Sequence, residues 1–128
     1  MQKQLDQVKE FHDAFTVYTQ SLPNRVIPNN IRDGRIQMMQ EELSEVVEAI
    51  KQADLSQIGK ELADLLYLLL GTVHTYGLGE RFEAIFDEVH RSNMSKLDKN
   101  GKPILQENGK VIKSDKFSPA DIGAILKN

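Results

Sequence analysis

The sequence predicts an all-α protein, a bundle of four to five helices with a small β-hairpin near its C-terminus. Apolar residues recur at helical spacing through most of the chain up to residue 97. Near the C-terminus, Asn108-Gly109 separates two short β-prone pieces. The 128-residue length and the 40% hydrophobic composition fit a single domain, residues 1–128, with one modest core.

The helices are delimited by turn and capping residues. Pro23 and Pro28 interrupt the chain between the first and second helices. Asp54 is a good N-cap for the third helix, and Gly77 is placed to end it. Ser118 followed by Pro119 suits the N-cap and first position of a short last helix. The predicted helices cover about residues 2–18, 33–52, 55–76, 79–97 and 119–126, and the predicted hairpin covers about 103–113.

Composition excludes several classes of function. The chain has no Cys, so disulfides, thiolate metal sites and cysteine nucleophiles are excluded. The longest apolar run, Leu65–Leu70, is far too short to span a bilayer, and the N-terminus is polar, unlike a signal peptide. We therefore expect a cytoplasmic protein without a membrane partner. A Gly-rich phosphate loop is absent, and basic and aromatic residues do not alternate as stacking on a nucleic-acid polymer would require.

Charge is unevenly distributed along the chain. The formal net charge is −3, but residues 41–64 contain seven acids and two bases, whereas residues 91–128 contain eight bases and four acids. The two segments could attract each other, or they could share a substrate that carries both a metal and phosphates. Charge alone leaves both interpretations open.

Two pairs of acidic residues on consecutive predicted helices are the most informative feature. Glu42 and Glu45 form one i,i+3 pair, and Glu61 and Asp64 form the other. At about 100° per residue, each pair projects from one side of its helix, and both pairs have the same angular relation to their apolar stripe. Among these acids only Asp64 has a basic residue, Lys60, three or four positions away.

If the two helices pack against each other, four carboxylates face one small volume. Like charges held together repel, and a hard divalent cation such as Mg²⁺, which prefers oxygen ligands, relieves that repulsion. The alternative is an ordinary solvated acidic face, the commoner origin of an i,i+3 acid pair. The three histidines are predicted to be ordinary surface or core residues, and Arg35 a surface residue.

At these residues the chain resembles the all-α nucleoside triphosphate pyrophosphohydrolases, the MazG-like and phosphoribosyl-ATP pyrophosphatase-like superfamily. The family pattern E-x-x-E, a spacer and E-x-x-D reads here as EELSE and, after fifteen residues, ELAD. The segment from His90 to Ile122 also resembles one branch of the family. One departure is Ser114–Phe117, where related sequences often have a Gly-Pro-Asn-Tyr type run.

The resemblance implies Mg²⁺-dependent hydrolysis between the α and β phosphates of a nucleoside triphosphate, with Mn²⁺ as a substitute ion. It implies that Glu42, Glu45, Glu61 and Asp64 hold the metal. Glu41 resembles the residue that orients or deprotonates the attacking water. Asn93 and Lys96 resemble phosphate or sugar contacts, and Lys113 is a further cation that would offset phosphate charge.

The resemblance also implies a homodimer or homotetramer. Two alternatives to general nucleoside triphosphate cleavage stay open at this stage. The first is a phosphoribosyl-ATP pyrophosphatase, which uses the same metal chemistry on a different nucleotide. The second is a non-catalytic helical partner protein whose acids are only a solvated face.

Overall fold

The computed structural model describes residues 1–127, which form five α-helices, one 3-10 turn and a two-stranded hairpin. The all-α fold class predicted from the sequence is confirmed. The helices are α1 (Gln2–Ala14), α2 (Asn29–Gln52), α3 (Leu55–Thr75), α4 (Phe82–Met94) and α5 (Ile122–Leu126); the 3-10 turn is Gly79–Arg81 and the strands are β1 (Ile104–Leu105) and β2 (Val111–Ile112).

The chain divides into two compact units, residues 1–80 and residues 81–128, here called the N-terminal and C-terminal units. The N-terminal unit contains α1, α2 and α3, and the C-terminal unit contains α4, the hairpin and α5. The expectation of a single domain, made from chain length, stays a prediction. None of the helices in residues 1–127 combines the length and apolar character that crossing a bilayer requires.

The core of the N-terminal unit lies where α1 and α2 pack on α3. It is small and partly polar. Its buried apolar side chains are Leu5, Val8, Ile27, Val46, Ala49, Leu70 and Val73. The polar side chains of His12, Arg35 and His74 are buried beside them. Buried polar groups are tolerated only when they are hydrogen-bonded, so the partners of these side chains help to hold the three helices together.

Arg35 is buried, which makes the expected surface position wrong. Its side chain donates from Nε to the Thr72 hydroxyl at 3.1 Å and from Nη2 to the Leu68 carbonyl at 2.8 Å. A Cβ added at Gly71 would lie 2.6 Å from Arg35 Nη2 and 2.8 Å from His12 Nε2, so a larger residue there would force both side chains to shift. Burial and the nearby Arg35 charge lower the pKa of His12 below its usual 6.5.

The boundaries of the first, second and fourth helices differ from the predicted ones. The first helix ends at Ala14 rather than about residue 18, because Thr16 adopts a positive φ of 55° and Val17 N–H bonds back to the His12 carbonyl at 2.9 Å. The second begins at Asn29, directly after Pro28, four residues earlier than predicted. The fourth is a 3-10 turn followed by α-helix, and tighter i→i−3 bonds replace its last predicted turn.

The last helix begins at Ile122, so its predicted start at Pro119 is wrong. The N-cap is Asp121, whose Oδ1 accepts from Ala124 N–H at 3.0 Å. Ser118 instead bonds through its backbone N–H to the Ser95 hydroxyl at 2.8 Å.

In the same unit, the Arg91 guanidinium and the Asp121 N–H donate hydrogen bonds to the Glu88 carboxylate. These bonds lower the pKa of Glu88 to about 2.

The hairpin forms as predicted. Ile104 pairs with Ile112 and Leu105 with Val111 in an antiparallel ladder. The connection closes because Gly109 adopts a positive φ of 82° and its N–H bonds to the Gln106 carbonyl at 2.9 Å. The Asn108 side chain also accepts from Lys110 N–H at 3.0 Å, so both residues of the Asn-Gly signal contribute to the turn.

The third helix begins and ends where the sequence predicts. Asp54 accepts from Gln57 N–H at 3.2 Å, and Gly77, with φ 70°, follows the C-cap Tyr76. Gly77 N–H bonds to the His74 carbonyl at 3.1 Å and Leu78 N–H bonds to the Val73 carbonyl at 2.9 Å, the two bonds of a Schellman motif.

Gly77 tolerates no side chain, so we expect Gly77→Ala to lower the free energy of unfolding by at least about 2 kcal/mol. An added Cβ would overlap the Leu22 carbonyl and would also impose backbone strain at positive φ. The matched control is Gly34→Ala within α2, where nothing lies within 4 Å and stability should rise by up to about 1 kcal/mol. Urea unfolding of the two variants measures both effects, and equal stabilities would contradict the argument.

Candidate metal centre

Three glutamates from consecutive helices meet in the N-terminal unit. One carboxylate oxygen from each of Glu42, Glu45 and Glu61 lies within 4.8 Å of the other two. Glu42 and Glu45 come from α2 and Glu61 comes from α3. The two helices form a hairpin joined only by Ala53, which adopts a left-handed φ of 58°, and Asp54. This short connection brings the Glu42–Glu45 pair of α2 and Glu61 of α3 to the same side of the helical hairpin.

The three carboxylates differ in burial. Glu61 is only 4% exposed, Glu42 is half-buried and Glu45 is exposed. Oε2 of Glu42 and Oε2 of Glu61 are both buried and have no hydrogen-bond partner among the described residues. A buried carboxylate oxygen without a partner is costly, so these two oxygens are suited to bind a cation.

Electrostatics at the cluster confirm that the negative charges are crowded. A hydrogen bond with Glu61, together with the negative charges of Glu61 and Glu42, raises the pKa of Glu45 above its usual 4.5. An all-oxygen, all-anionic donor set of this kind suits a hard divalent cation. The residues therefore fit a divalent metal ion, which their chemistry favours over softer ions that prefer nitrogen or sulfur.

Asp64, the fourth predicted ligand, does not belong to this mutually close group. Its Oδ2 forms an ion pair with Lys60 Nζ at 2.8 Å. The same ammonium lies 3.4 Å from Glu61 Oε1, and these carboxylates raise the pKa of Lys60 to about 12. The structure thus brings together three of the four predicted carboxylates and pairs the fourth with a lysine on its own helix.

Gln57 is a site residue that the sequence reasoning missed. Its side-chain amide donates to Glu61 Oε1 at 2.6 Å, so this residue orients the buried carboxylate. The i,i+4 spacing of Gln57 and Glu61 is the sequence signal for this contact, because side chains four residues apart on a helix are neighbours. The contact between Lys60 and Glu61 joins adjacent residues, which helical spacing rules do not predict.

The other predicted site residues lie apart from this cluster or in the other unit. Glu41 is exposed on α2, and its Oε1 accepts from the Gln37 amide at 3.1 Å. Asn93, Lys96 and Lys113 belong to the C-terminal unit. Lys113 Nζ lies 4.5 Å from the centroid of the Phe117 ring, a cation–π contact. The roles predicted for these four residues stay predictions.

Comparison with known proteins gives the family. The family model for phosphoribosyl-ATP pyrophosphohydrolase matches residues 8–93, about two thirds of the chain. The chain belongs to the phosphoribosyl-ATP pyrophosphohydrolase family. This family lies within the all-α nucleoside triphosphate pyrophosphatase superfamily, as the acidic motifs predicted. No curated protein matches the chain.

The matched residues of this pyrophosphohydrolase include α2 and α3 in full, and hence the entire acidic cluster. The chain is therefore a hydrolase that acts on acid anhydrides, and the prediction of an enzyme is confirmed. The alternative interpretation, a non-catalytic partner protein, is not supported, because it requires solvated acidic residues whereas Glu61 is buried. The match ends at residue 93, so the hairpin and α5 lie beyond it.

Replacing Glu45 by Gln should stabilise the metal-free protein and weaken its metal binding. The amide keeps a donor toward Glu61 and removes one charge from the cluster. Because the pKa of Glu45 is raised in the folded state, ionisation of Glu45 lowers the free energy of unfolding. This destabilisation is absent below about pH 4.5 and develops as the pH rises through the folded-state pKa. The melting temperature of Glu45→Gln should thus exceed the wild-type value at pH 7.5, and the difference should vanish near pH 4.

The same variant should bind Mn²⁺ at least about tenfold more weakly by calorimetry. Glu48→Gln is the matched control, since Glu48 lies one turn further along α2 and its Oε1 contacts only the Gln52 amide among the described residues. A Glu45→Gln protein with wild-type melting temperature and wild-type Mn²⁺ affinity would contradict the carboxylate cluster as a metal centre.

Proposed function

We propose that this enzyme hydrolyses phosphoribosyl-ATP between its α and β phosphates, with a divalent cation, Mg²⁺ or Mn²⁺, held by Glu42, Glu45, Glu61 and Asp64. The observation that carries the proposal is the meeting of three glutamates with two buried, unpartnered oxygens inside the region matched by the family. Water attacks phosphorus, the bond to the bridging oxygen breaks, and the products are phosphoribosyl-AMP and pyrophosphate.

When bound, the cation supplies charge neutralisation on the phosphate oxygens and lowers the pKa of a bound water. Glu61 is the fixed ligand, because burial and the Gln57 amide restrain its side chain. Glu45 is the adaptable ligand, because its side chain is exposed. Glu41 would accept the proton of the attacking water, and Asn93, Lys96 and Lys113 would contact the phosphates or sugar.

A second candidate substrate class is the nucleoside triphosphates in general, cleaved between the same two phosphates to give a monophosphate and pyrophosphate. Such an activity would remove unwanted nucleotides from the pool. The observation that favours it is the C-terminal segment: residues 94–127, with the hairpin and α5, lie outside the family match and carry most of the basic residues of that unit.

The test is pyrophosphate release with Mg²⁺ from phosphoribosyl-ATP and from a panel of ribo- and deoxyribonucleoside triphosphates. We expect kcat/KM for phosphoribosyl-ATP to be at least about tenfold higher than for any triphosphate, a difference of about 1.4 kcal/mol in transition-state binding. Glu61→Gln should abolish the activity and Glu48→Gln should retain it.

A reversed preference would assign the enzyme to nucleotide-pool clean-up instead. Well-folded protein that releases no pyrophosphate from any of these compounds, with either Mg²⁺ or Mn²⁺, would overturn the proposal.

We also propose that the enzyme is a homodimer or homotetramer. The N-terminal unit buries few apolar side chains, while α2 and α3 leave several large ones about half exposed. These are Leu43, Val47, Ile50, Leu62, Leu66 and Leu69, with exposed fractions between 42% and 55%. Leu62, Leu66 and Leu69 follow one another at i, i+4 and i+7, so they form a stripe suited to another helix.

Leu66→Glu should therefore dissociate the oligomer, because the new carboxylate would place a charge in an apolar interface. Sedimentation velocity should give a mass of at least twice 14.5 kDa for the wild type and a single-chain mass for the variant. Leu22→Glu is the control, since Leu22 is 70% exposed in the loop after α1 and should not alter the mass. A single-chain wild type would contradict the oligomer.

A further inference from the structure

The ammonium group of Lys60 lies among the carboxylates of the metal centre. It contacts Asp64 Oδ2 at 2.8 Å and Glu61 Oε1 at 3.4 Å. Its positive charge also acts on Glu45. Among the described residues it is the cation that contacts this cluster, and it therefore partly neutralises charge that a divalent metal would otherwise neutralise.

The two carboxylates that Lys60 contacts are affected differently. Glu61 Oε1 is shared by Lys60 and the Gln57 amide, so Glu61 Oε2 stays free for another ligand. Asp64 has its Oδ2 paired with Lys60, and Asp64 is the predicted ligand that does not join the group of mutually close oxygens. Pairing with Lys60 thus coincides with the exclusion of Asp64 from the cluster.

The pairing is easily reversed. The Lys60 side chain is 61% exposed and the Asp64 side chain 41% exposed. Ion pairs between exposed side chains contribute little, because water and salt screen them and both side chains lose rotamer freedom. A divalent cation carries twice the charge of an ammonium group and can bind several of the carboxylates at once, so it competes favourably for Asp64.

We propose that Lys60 is an internal counter-ion that a divalent cation must displace from Asp64, and that Lys60 thereby sets the metal affinity of the site. This inference rests on the proposed function, in which Asp64 is a metal ligand. Lys60 is a positioning residue: it holds Asp64 away from the three glutamates until a cation binds. The exchange moves charge but makes or breaks no covalent bond.

The proposal predicts that removal of Lys60 tightens metal binding, a result that a lysine with only a structural role would not produce. Lys60→Met should bind Mn²⁺ alone, without nucleotide, about five- to tenfold more tightly than the wild type by calorimetry. Lys60→Arg keeps the charge and should restore wild-type affinity within about twofold. The matched control is Lys9→Met, which removes another i,i+4 lysine–aspartate pair, Lys9–Asp13 at 2.6 Å on α1, and should leave the Mn²⁺ affinity unchanged.

A double-mutant cycle with Asp64→Asn separates displacement from general electrostatics. If Lys60 acts by holding Asp64, the gain from Lys60→Met should shrink by more than half when Asp64 is already Asn. A gain of the same size in both backgrounds, or no gain in the wild-type background, would overturn the proposal for Lys60 while leaving the metal centre intact. Wild-type protein that binds no Mn²⁺ at all would overturn both.

Discussion

The chemistry of the N-terminal unit depends on one unfavourable interaction, the crowding of three glutamate side chains from α2 and α3. Solvent relieves this repulsion only in part, since Glu61 is buried and two carboxylate oxygens have no partner among the described residues. A fold retains such a cost when something bound offsets it. The surrounding polar contacts, Gln57 and Lys60 on Glu61, hold the cluster in place rather than neutralise it fully.

The C-terminal unit is organised on a different principle. Its Glu88 carboxylate is fully paired, by the bidentate contact of Arg91 and by the bond from Asp121 N–H. This unit also contains the part of the chain beyond the family match. One carboxylate in each unit illustrates the contrast: hydrogen bonds lower the pKa of Glu88, whereas the neighbouring glutamates raise the pKa of Glu45.

Helical periodicity predicted the fold class, and the spacing of Glu42, Glu45 and Glu61 predicted that these side chains meet. Local hydrogen bonding decided what the sequence did not reveal. The first helix ends at Ala14, two residues before a threonine of positive φ, Thr16, a conformation that this residue type rarely adopts. Asp121 competes with Ser118 as the last N-cap, and the tertiary contacts of Ser118 decide between them. The i,i+4 spacing indicates the pairing of Asp64 with Lys60, but its effect on the cluster depends on the packing of α2 against α3, which spacing does not reveal.

The bonds of Arg35 to Leu68 and Thr72 have a consequence for the acidic cluster, which lies on the same pair of helices. Arg35 precedes Glu42 by seven residues, so the two side chains leave α2 in almost the same direction, about 10 Å apart along its axis. By anchoring one turn of α2 to α3, Arg35 fixes the rotation of α2 about its own axis. The guanidinium fits against α3 because Gly71 has no side chain. An alanine at residue 71 would displace the Arg35 guanidinium and so weaken this anchoring of α2 without altering any acidic residue.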